Sequence, residues 1–264
     1  PFYEDSYKLV EAPYLGMEHQ SSVTYGNGYK NGYLGHDLSG TGWGLKFDFI
    51  IIHESGHEWF ANNITYKDIA DMWIHESFTN YSESLFVEYY YGKEAGAEYV
   101  IGCRRNIQND IPIVGKYDVN NEGSGDMYPK GANMLHTIRQ ILNDDAKWKS
   151  ILRGLNSTFY HQTVTTKQIE DYMSTQVGLD LSKIFNQYLR DTRIPVLEYS
   201  FKEKTLKYRW TNIVSGFDMP VKVSINGTEV SLKPKSDWTE LDSPLKIEKV
   251  EVDKNFYVFS KNVN

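Results

Sequence analysis

The chain has 264 residues, a formal net charge of −7, and a composition that is 40% hydrophobic, 24% charged and 14% aromatic. These values are typical of a globular protein that is long enough for one large and one small domain, each with its own core. The acidic balance argues against nucleic acid as the main partner, because binding to phosphate requires a basic surface. The longest apolar runs are too short to predict a membrane span.

The cysteine content and the first residues bear on the origin of the chain. Cys103 is the only cysteine, so no disulfide can form within the chain and the cellular compartment cannot be deduced from cysteine chemistry. We expect this lone cysteine to be a packing residue. The sequence begins at Pro1 with neither an initiating methionine nor a recognisable signal peptide, and we expect it to be part of a longer protein.

The first two thirds of the sequence are dominated by helical periodicity. A short β-like stretch at 21–25 comes first, followed by a glycine-rich run at 26–44 that we interpret as a long functional loop. Pro129 follows a Gly-Ser-Gly-Asp segment and predicts the start of a helix, because proline suits the first helical turn. The predicted helices cover residues 49–62, 69–91, a stretch beginning at Pro129, 166–175 and 181–191.

After Pro195 the hydrophobic period changes from helical to alternating. Apolar and polar residues alternate over 221–225 and again over 230–232, on either side of Asn226-Gly227. An Asn-Gly pair between two alternating runs predicts a hairpin with a two-residue turn. Further strands are predicted at 245–252 and 256–259.

These elements predict an α+β protein with two domains. The first is a mainly helical domain over residues 1–195, and the second is a small β-sandwich over residues 196–264.

The segment His53-Glu54-Ser55-Gly56-His57 lies inside the first predicted helix. Residues four apart on an α-helix point in nearly the same direction, so both imidazoles can bind one zinc ion. Glu54 would lie beside the ion, where its carboxylate can take a proton from zinc-bound water. Zinc lowers the pKa of such a water to about 7, so a nearby carboxylate suffices as the base.

Glu76 follows His57 by nineteen positions, on the second predicted helix. A catalytic zinc uses three protein ligands and keeps one open position, and His-His-Glu is a known ligand set. Glu83 lies seven residues further along the same helix, where it is expected to accept the second N–H of a ligating histidine. The sequence therefore predicts one Zn²⁺ per chain, bound by His53, His57 and Glu76.

These residues resemble a known family. The segments 53–62 and 73–78 resemble the HExxH-x18-E signature of the aminopeptidase N family of gluzincin zinc metallopeptidases, which also includes leukotriene hydrolase. Residues 15–19, Leu-Gly-Met-Glu-His, are similar to its G-x-M-E-N exopeptidase motif. Residues 128–131, Tyr-Pro-Lys-Gly, resemble its Y-x-K-G segment. The resemblance covers nearly the whole chain.

The resemblance implies roles for residues that spacing alone does not assign. Glu18 would bind the free α-amino group of a peptide, with Met17 and Gly16 beside the substrate, and Tyr128 would donate its hydroxyl to the oxyanion. The implied partners are peptides with a free N-terminus and an N-terminal domain of the parent protein that is absent from this chain. The implied activity is aminopeptidase activity, with Glu54 as general base, and the resemblance implies that residues 1–195 form a thermolysin-like zinc catalytic domain.

Several positions depart from the family motifs and leave alternatives open. Leu15 and His19 differ from the usual residues of the exopeptidase motif, and His75 and Ser77 flank Glu76 in place of asparagine and glycine. These changes keep the zinc ligands but bear on specificity. The alternatives are a zinc endopeptidase or an epoxide hydrolase-like enzyme on the same site, and a non-catalytic peptide-binding or scaffold fragment.

Overall fold

The structure is a computed structural model that describes residues 6–264. It begins with a small sheet of three short strands, β1 (Leu9–Glu11), β2 (Gly16–Met17) and β3 (Val23–Tyr25). β1 pairs parallel with β3, and β2 pairs antiparallel with the other side of β3. β2 therefore forms an edge of this sheet within the described residues.

The helical region follows, with the long loop between β3 and the first helix as predicted. Its α-helices are α1 (Phe49–Gly56), α2 (Trp73–Tyr91), α3 (Lys93–Gly102), α4 (Pro129–Leu142), α5 (Asp145–Thr158), α6 (Thr166–Val177) and α7 (Ser182–Leu189). Two short parallel strands, β4 (Ile64–Tyr66) and β5 (Gln162–Val164), pair across this region. None of the helices in residues 6–264 is long and apolar enough to cross a membrane.

The predicted helices are largely confirmed, with differences at their ends. α1 ends at Gly56 rather than at residue 62, because the carbonyl of His57 accepts a hydrogen bond from the amide of Asn62 at 2.9 Å and the chain turns there. The second helix begins at Trp73, after a 3₁₀ turn at Ile69–Asp71. α3 and α5 are not predicted from the sequence.

Asp48 fixes the start of α1. Its side chain accepts a hydrogen bond from the amide of Ile51 at 3.3 Å, which satisfies a free N–H of the first turn. The same carboxylate oxygen accepts from Asn27 Nδ2 at 2.8 Å, so the long loop is tied to the helix start. Gly56 then lets α1 approach α2 closely, because a Cβ at Gly56 would lie 3.0 Å from Thr79 Cγ2.

α4 packs equally closely against α2. A Cβ built on Gly131 would lie 1.9 Å from Ser77 Oγ and 2.6 Å from Ser77 Cβ. Ser77 Oγ also donates a hydrogen bond to the carbonyl of Met127 at 2.7 Å. The start of α4, with Tyr128, is therefore held against the turn of α2 that carries Glu76.

We expect Gly131→Ala to lower the free energy of unfolding by about 1–3 kcal/mol, because the added methyl group overpacks a filled contact. Gly125→Ala is the matched control, since a Cβ at Gly125 meets no atom within 4 Å. Urea unfolding of both variants measures the difference. Equal stability of the two variants would contradict the close packing of α4 on α2.

The β region consists of two sheets. The four-stranded sheet has the order β10-β7-β6-β12 and the three-stranded sheet the order β11-β8-β9. The strands are β6 (Val196–Lys202), β7 (Thr205–Thr211), β8 (Val221–Ile225), β9 (Thr228–Leu232), β10 (Thr239–Asp242), β11 (Val250–Val252) and β12 (Phe259–Asn262). The predicted hairpin is confirmed, with a turn at Asn226 and Gly227 in which both residues have positive φ.

Two predicted strands are misplaced. The strand predicted at 245–252 is confined to Val250–Val252, and the one predicted at 256–259 is replaced by β12 at Phe259–Asn262. The backbone of Tyr257 is bound to the helices instead, with its amide donating to Thr137 Oγ1 at 3.0 Å and its carbonyl accepting from Tyr188 Oη at 2.6 Å. Burial against the helices, rather than strand pairing, therefore explains the apolar residues at 256–257.

One buried core extends through the helices and both sheets, including Leu189, Trp210 and Val223. A second buried cluster lies behind α1 and contains Cys103. Burial raises the pKa of the Cys103 thiol, which keeps it protonated and unreactive. A helical region followed by β-sheet confirms the predicted α+β class.

Candidate metal centre

His53 and His57 on α1 and Glu76 on α2 bring three ligand atoms together. The two Nε2 atoms are 3.2 Å apart, and each lies 3.4 Å from Glu76 Oε2. All three side chains are buried. Atoms that each lie about 2.0–2.1 Å from one tetrahedral zinc are separated by about 3.3 Å. The observed triangle therefore has the size of a zinc site.

Hydrogen bonds on the far side of each imidazole orient the ligand atoms. His53 Nδ1 lies 2.8 Å from Glu83 Oε1, and His57 Nδ1 lies 3.0 Å from the carbonyl oxygen of Phe60. Because these oxygens are acceptors, each Nδ1 is the donor of this hydrogen bond, which leaves each Nε2 as the atom that can bind a metal ion. Glu76 Oε2 is buried without a hydrogen-bond partner in the described chain. Three converging acceptors fit a bound cation, and the donor set fits zinc.

Glu83 is fully buried and anchored by three donors. Besides its contact with His53, its Oε1 accepts from Asn80 Nδ2 at 2.9 Å, and its Oε2 accepts from Tyr99 Oη at 2.6 Å. A carboxylate fixed in this way holds the histidine ring in one orientation.

Glu54 lies between the metal-binding residues and the edge strand β2. It is 5% exposed, and its Oε2 has no hydrogen-bond partner among the described residues. Burial raises the pKa of Glu54 to about 7. A Cβ at Gly16 would lie 2.5 Å from Glu54 Oε1 and 2.8 Å from Ile50 Cγ2, so a glycine is needed for β2 to pass this close to α1.

Glu18 and Met17 lie at the end of β2. Carboxylate oxygens of Glu18 and Glu54 and a ring nitrogen of His57 all lie within 4.8 Å of one another. Glu18 is half-buried, whereas Met17 is 38% exposed. The carboxylate of Glu18 therefore faces the same space as that of Glu54.

Tyr128 lies beside His53, immediately before α4. Its ring centroid is 5.8 Å from that of His53. Burial, and next the carboxylates of Glu76 and Glu18, raise the pKa of the Tyr128 phenol. The phenol therefore stays protonated at neutral pH and can donate a hydrogen bond.

The structure places two more residues near the site: His75, which already stood out in the sequence as a departure from the family motif, and Tyr66, which sequence reasoning missed. His75 Nε2 accepts from the amide of Tyr66 at 3.2 Å, and burial lowers the pKa of His75 to about 3, so the ring is neutral. The ring centroid of Tyr66 lies 4.2 Å from that of His75, which lies 6.3 Å from that of His57, so this phenol is near the candidate metal centre. Burial, followed by the carboxylates of Glu18, Glu76 and Glu122, raises the pKa of Tyr66. The sequence pattern that could have identified Tyr66 is weak, because the strand that carries it, β4, has only three residues.

Comparison with known proteins identifies the family. Residues 9–188 match the model of the peptidase family M1 domain. The chain belongs to the M1 peptidase family. Its resemblance to aminopeptidase N is confirmed by aminopeptidase N of Lactobacillus helveticus, which is 28% identical over 222 residues covering 74% of this chain and 25% of that protein.

Two further M1 relatives extend the comparison. The probable aminopeptidase 1 of Saccharolobus solfataricus is 22% identical over 97% of this chain and 35% of its own length. The crystal structure of an M1 zinc metallopeptidase from Deinococcus radiodurans has the same fold, with a TM-score of 0.55 and 21% identity over 72% of this chain and 40% of that chain. The chain thus spans about a quarter to a third of the length of these curated relatives.

Proposed function

We propose that this chain is the catalytic portion of a zinc aminopeptidase that releases N-terminal residues from peptides. The position of Glu18 carries the proposal. One of its carboxylate oxygens lies within 4.8 Å of a carboxylate oxygen of Glu54 and of a ring nitrogen of His57. A free α-ammonium group held by Glu18 places the first peptide bond beside Glu54. The aminopeptidase names of the relatives support this assignment. Residues 1–195 are proposed as the catalytic domain and 196–264 as a β-sandwich domain.

The proposed cofactor is one Zn²⁺ held by His53, His57 and Glu76. When bound, zinc polarises the peptide carbonyl and lowers the pKa of water to about 7. Glu54 Oε2, which is buried without a partner, accepts the proton from the attacking water and later delivers it to the leaving amine.

The other residues orient the substrate and stabilise charge. Tyr128 Oη donates to the carbonyl oxygen as negative charge develops on it. β2 is an edge strand, so a peptide can add to it with its backbone along Gly16 and Met17 and its amine at Glu18. The proposed substrates are therefore peptides with a free N-terminus.

Glu18→Gln tests amine recognition. We expect kcat/KM for leucine p-nitroanilide to fall about 10- to 100-fold, because a charge-assisted hydrogen bond to the ammonium group is lost, while zinc content is unchanged. Glu11→Gln on β1 is the matched control, since Glu11 is exposed on the opposite edge strand of the same sheet. Steady-state kinetics and metal analysis give both readouts. Hydrolysis of N-acetylated peptides as fast as of free peptides would contradict the proposal and favour an endopeptidase.

A further inference from the structure

A cavity of about 750 Å³ adjoins Glu54. The residues that line it include Leu15 and Gly16 of the edge-strand segment, Ile50 of α1, and Tyr128. Its volume is in the range of cavities that bind small molecules or side chains. The buried Oε2 of Glu54, which has no hydrogen-bond partner in the described chain, belongs to a side chain of this wall. The cavity therefore adjoins the carboxylate that is proposed as the general base.

The direction of a bound peptide follows from the order of residues along β2. Glu18 follows the C-terminal end of β2, whereas Tyr14 and Leu15 precede its N-terminal end. A peptide whose amine is held at Glu18 must extend toward Leu15, antiparallel to β2. The residue after the cleaved bond then lies beside Gly16, which lines the cavity. Because it uses Glu18 as the amine anchor, this step rests on the proposed function.

The cavity walls combine apolar and acidic chemistry. Leu38, Phe49 and Ile50 provide apolar surface, and Asp110 and Asp126 contribute carboxylates elsewhere in the lining. Apolar walls suit the methylene chain of a lysine or arginine, while carboxylates suit its cationic end.

Asp110 is the more available of the two carboxylates. Both oxygens of Asp126 accept backbone hydrogen bonds, from the amides of Gln108 at 2.8 Å and Asn109 at 2.6 Å. Asp110 Oδ1 accepts from Ser124 Oγ at 2.5 Å, and this bond lowers the pKa of the exposed Asp110 carboxyl, which is therefore ionised at neutral pH.

Lys130 only partly offsets this negative charge. Its ammonium group is directed to the backbone carbonyl of Asp191, at 3.0 Å. Asp110 and Asp126 line the cavity, whereas Lys130 is fully buried and is not among the residues that line it. A cationic side chain is thus the complementary occupant.

We infer that this cavity binds the side chain of the second residue of the substrate, and that Asp110 makes the enzyme selective for peptides whose second residue is lysine or arginine. Asp110 is a specificity-determining residue in this scheme and takes no part in bond cleavage.

The test compares Leu-Lys-Ala, Leu-norleucine-Ala and Leu-Glu-Ala peptides. Norleucine matches the lysine side chain up to its charge. We expect kcat/KM for the lysine peptide to exceed that for the norleucine peptide about fivefold, as for a partly exposed ion pair, with the glutamate peptide poorest. Asp110→Asn is expected to remove the difference between lysine and norleucine, and Asp237→Asn, an exposed residue of the β region, to retain it.

A binding measurement makes the test independent of turnover. Dissociation constants of the same peptides for the zinc-loaded Glu54→Gln variant, with and without Asp110→Asn, should show the same fivefold difference. Cleavage of leucine p-nitroanilide, together with equal kcat/KM and equal dissociation constants for the lysine and norleucine peptides, would overturn this inference and leave the proposed function intact. Absence of both binding and cleavage for every peptide with a free N-terminus would overturn both.

Discussion

Replacing Glu54 with glutamine is expected to lower kcat for leucine p-nitroanilide by about 10³-fold while the chain still binds one zinc ion. General-base catalysis contributes about 10²- to 10⁴-fold to such reactions, and an amide of the same shape cannot accept the proton. The side chain is only 5% exposed, so water from outside the cleft does not readily replace it as a base. Steady-state kinetics and metal analysis on the same sample measure the two quantities.

Glu94→Gln is the matched control for this variant, because Glu94 is exposed on α3 and lies outside the metal centre. We expect it to match the unaltered chain in both turnover and zinc content. Turnover by Glu54→Gln at the level of Glu94→Gln would contradict a general-base role. Loss of zinc in Glu54→Gln alone would instead make Glu54 a metal ligand.

The cluster of His53, His57 and Glu76 could be predicted from the sequence because its geometry is mostly local. His53 and His57 are one helical turn apart, so the formation of α1 alone brings their rings together. Glu76 needs one additional condition, the close packing of α1 on α2. The absence of a Cβ at Gly56 permits that packing against Thr79. Gly56 lies on α1, the same helix as the two histidines.

Other parts of the site depend on contacts between distant segments, which a single sequence does not reveal. β4 pairs with β5, so that Ile64 lies opposite Gln162 and the chain places Tyr66 beside the metal centre. The cavity that contains Asp110 likewise combines the strand segment at Leu15, α1 and the loop before α4. No local periodicity records such pairings.

The misplaced strands have a related cause. Residues 256–259 have the composition of a strand, yet the chain at Tyr257 is bound to α4 through Thr137 and to α7 through Tyr188. Hydrophobic pattern predicts that such residues are buried but not what covers them. The hairpin at 221–232 was predictable because its Asn226-Gly227 turn is specified locally.

Tyr128→Phe is expected to lower kcat by about 10²- to 10³-fold with little change in KM. In the proposed mechanism the phenol donates its hydrogen bond to the carbonyl oxygen mainly as that oxygen becomes negative, so its loss would raise the barrier rather than weaken substrate binding. Burial, followed by the carboxylates of Glu76 and Glu18, raises the pKa of Tyr128, which keeps the donor protonated across the neutral range. Steady-state kinetics with leucine p-nitroanilide separate kcat from KM.

Tyr89→Phe is the matched control, since Tyr89 is 81% exposed at the end of α2 and should leave both constants unchanged. Zinc content should be equal in the two variants, because the ring of Tyr128 lies beside His53 while its hydroxyl is not part of the ligand triangle. A rise in KM with unchanged kcat would show that Tyr128 binds the substrate equally in the ground state and would remove it from the proposed chemistry. A fall in kcat alone distinguishes an oxyanion donor from a wall of the cleft.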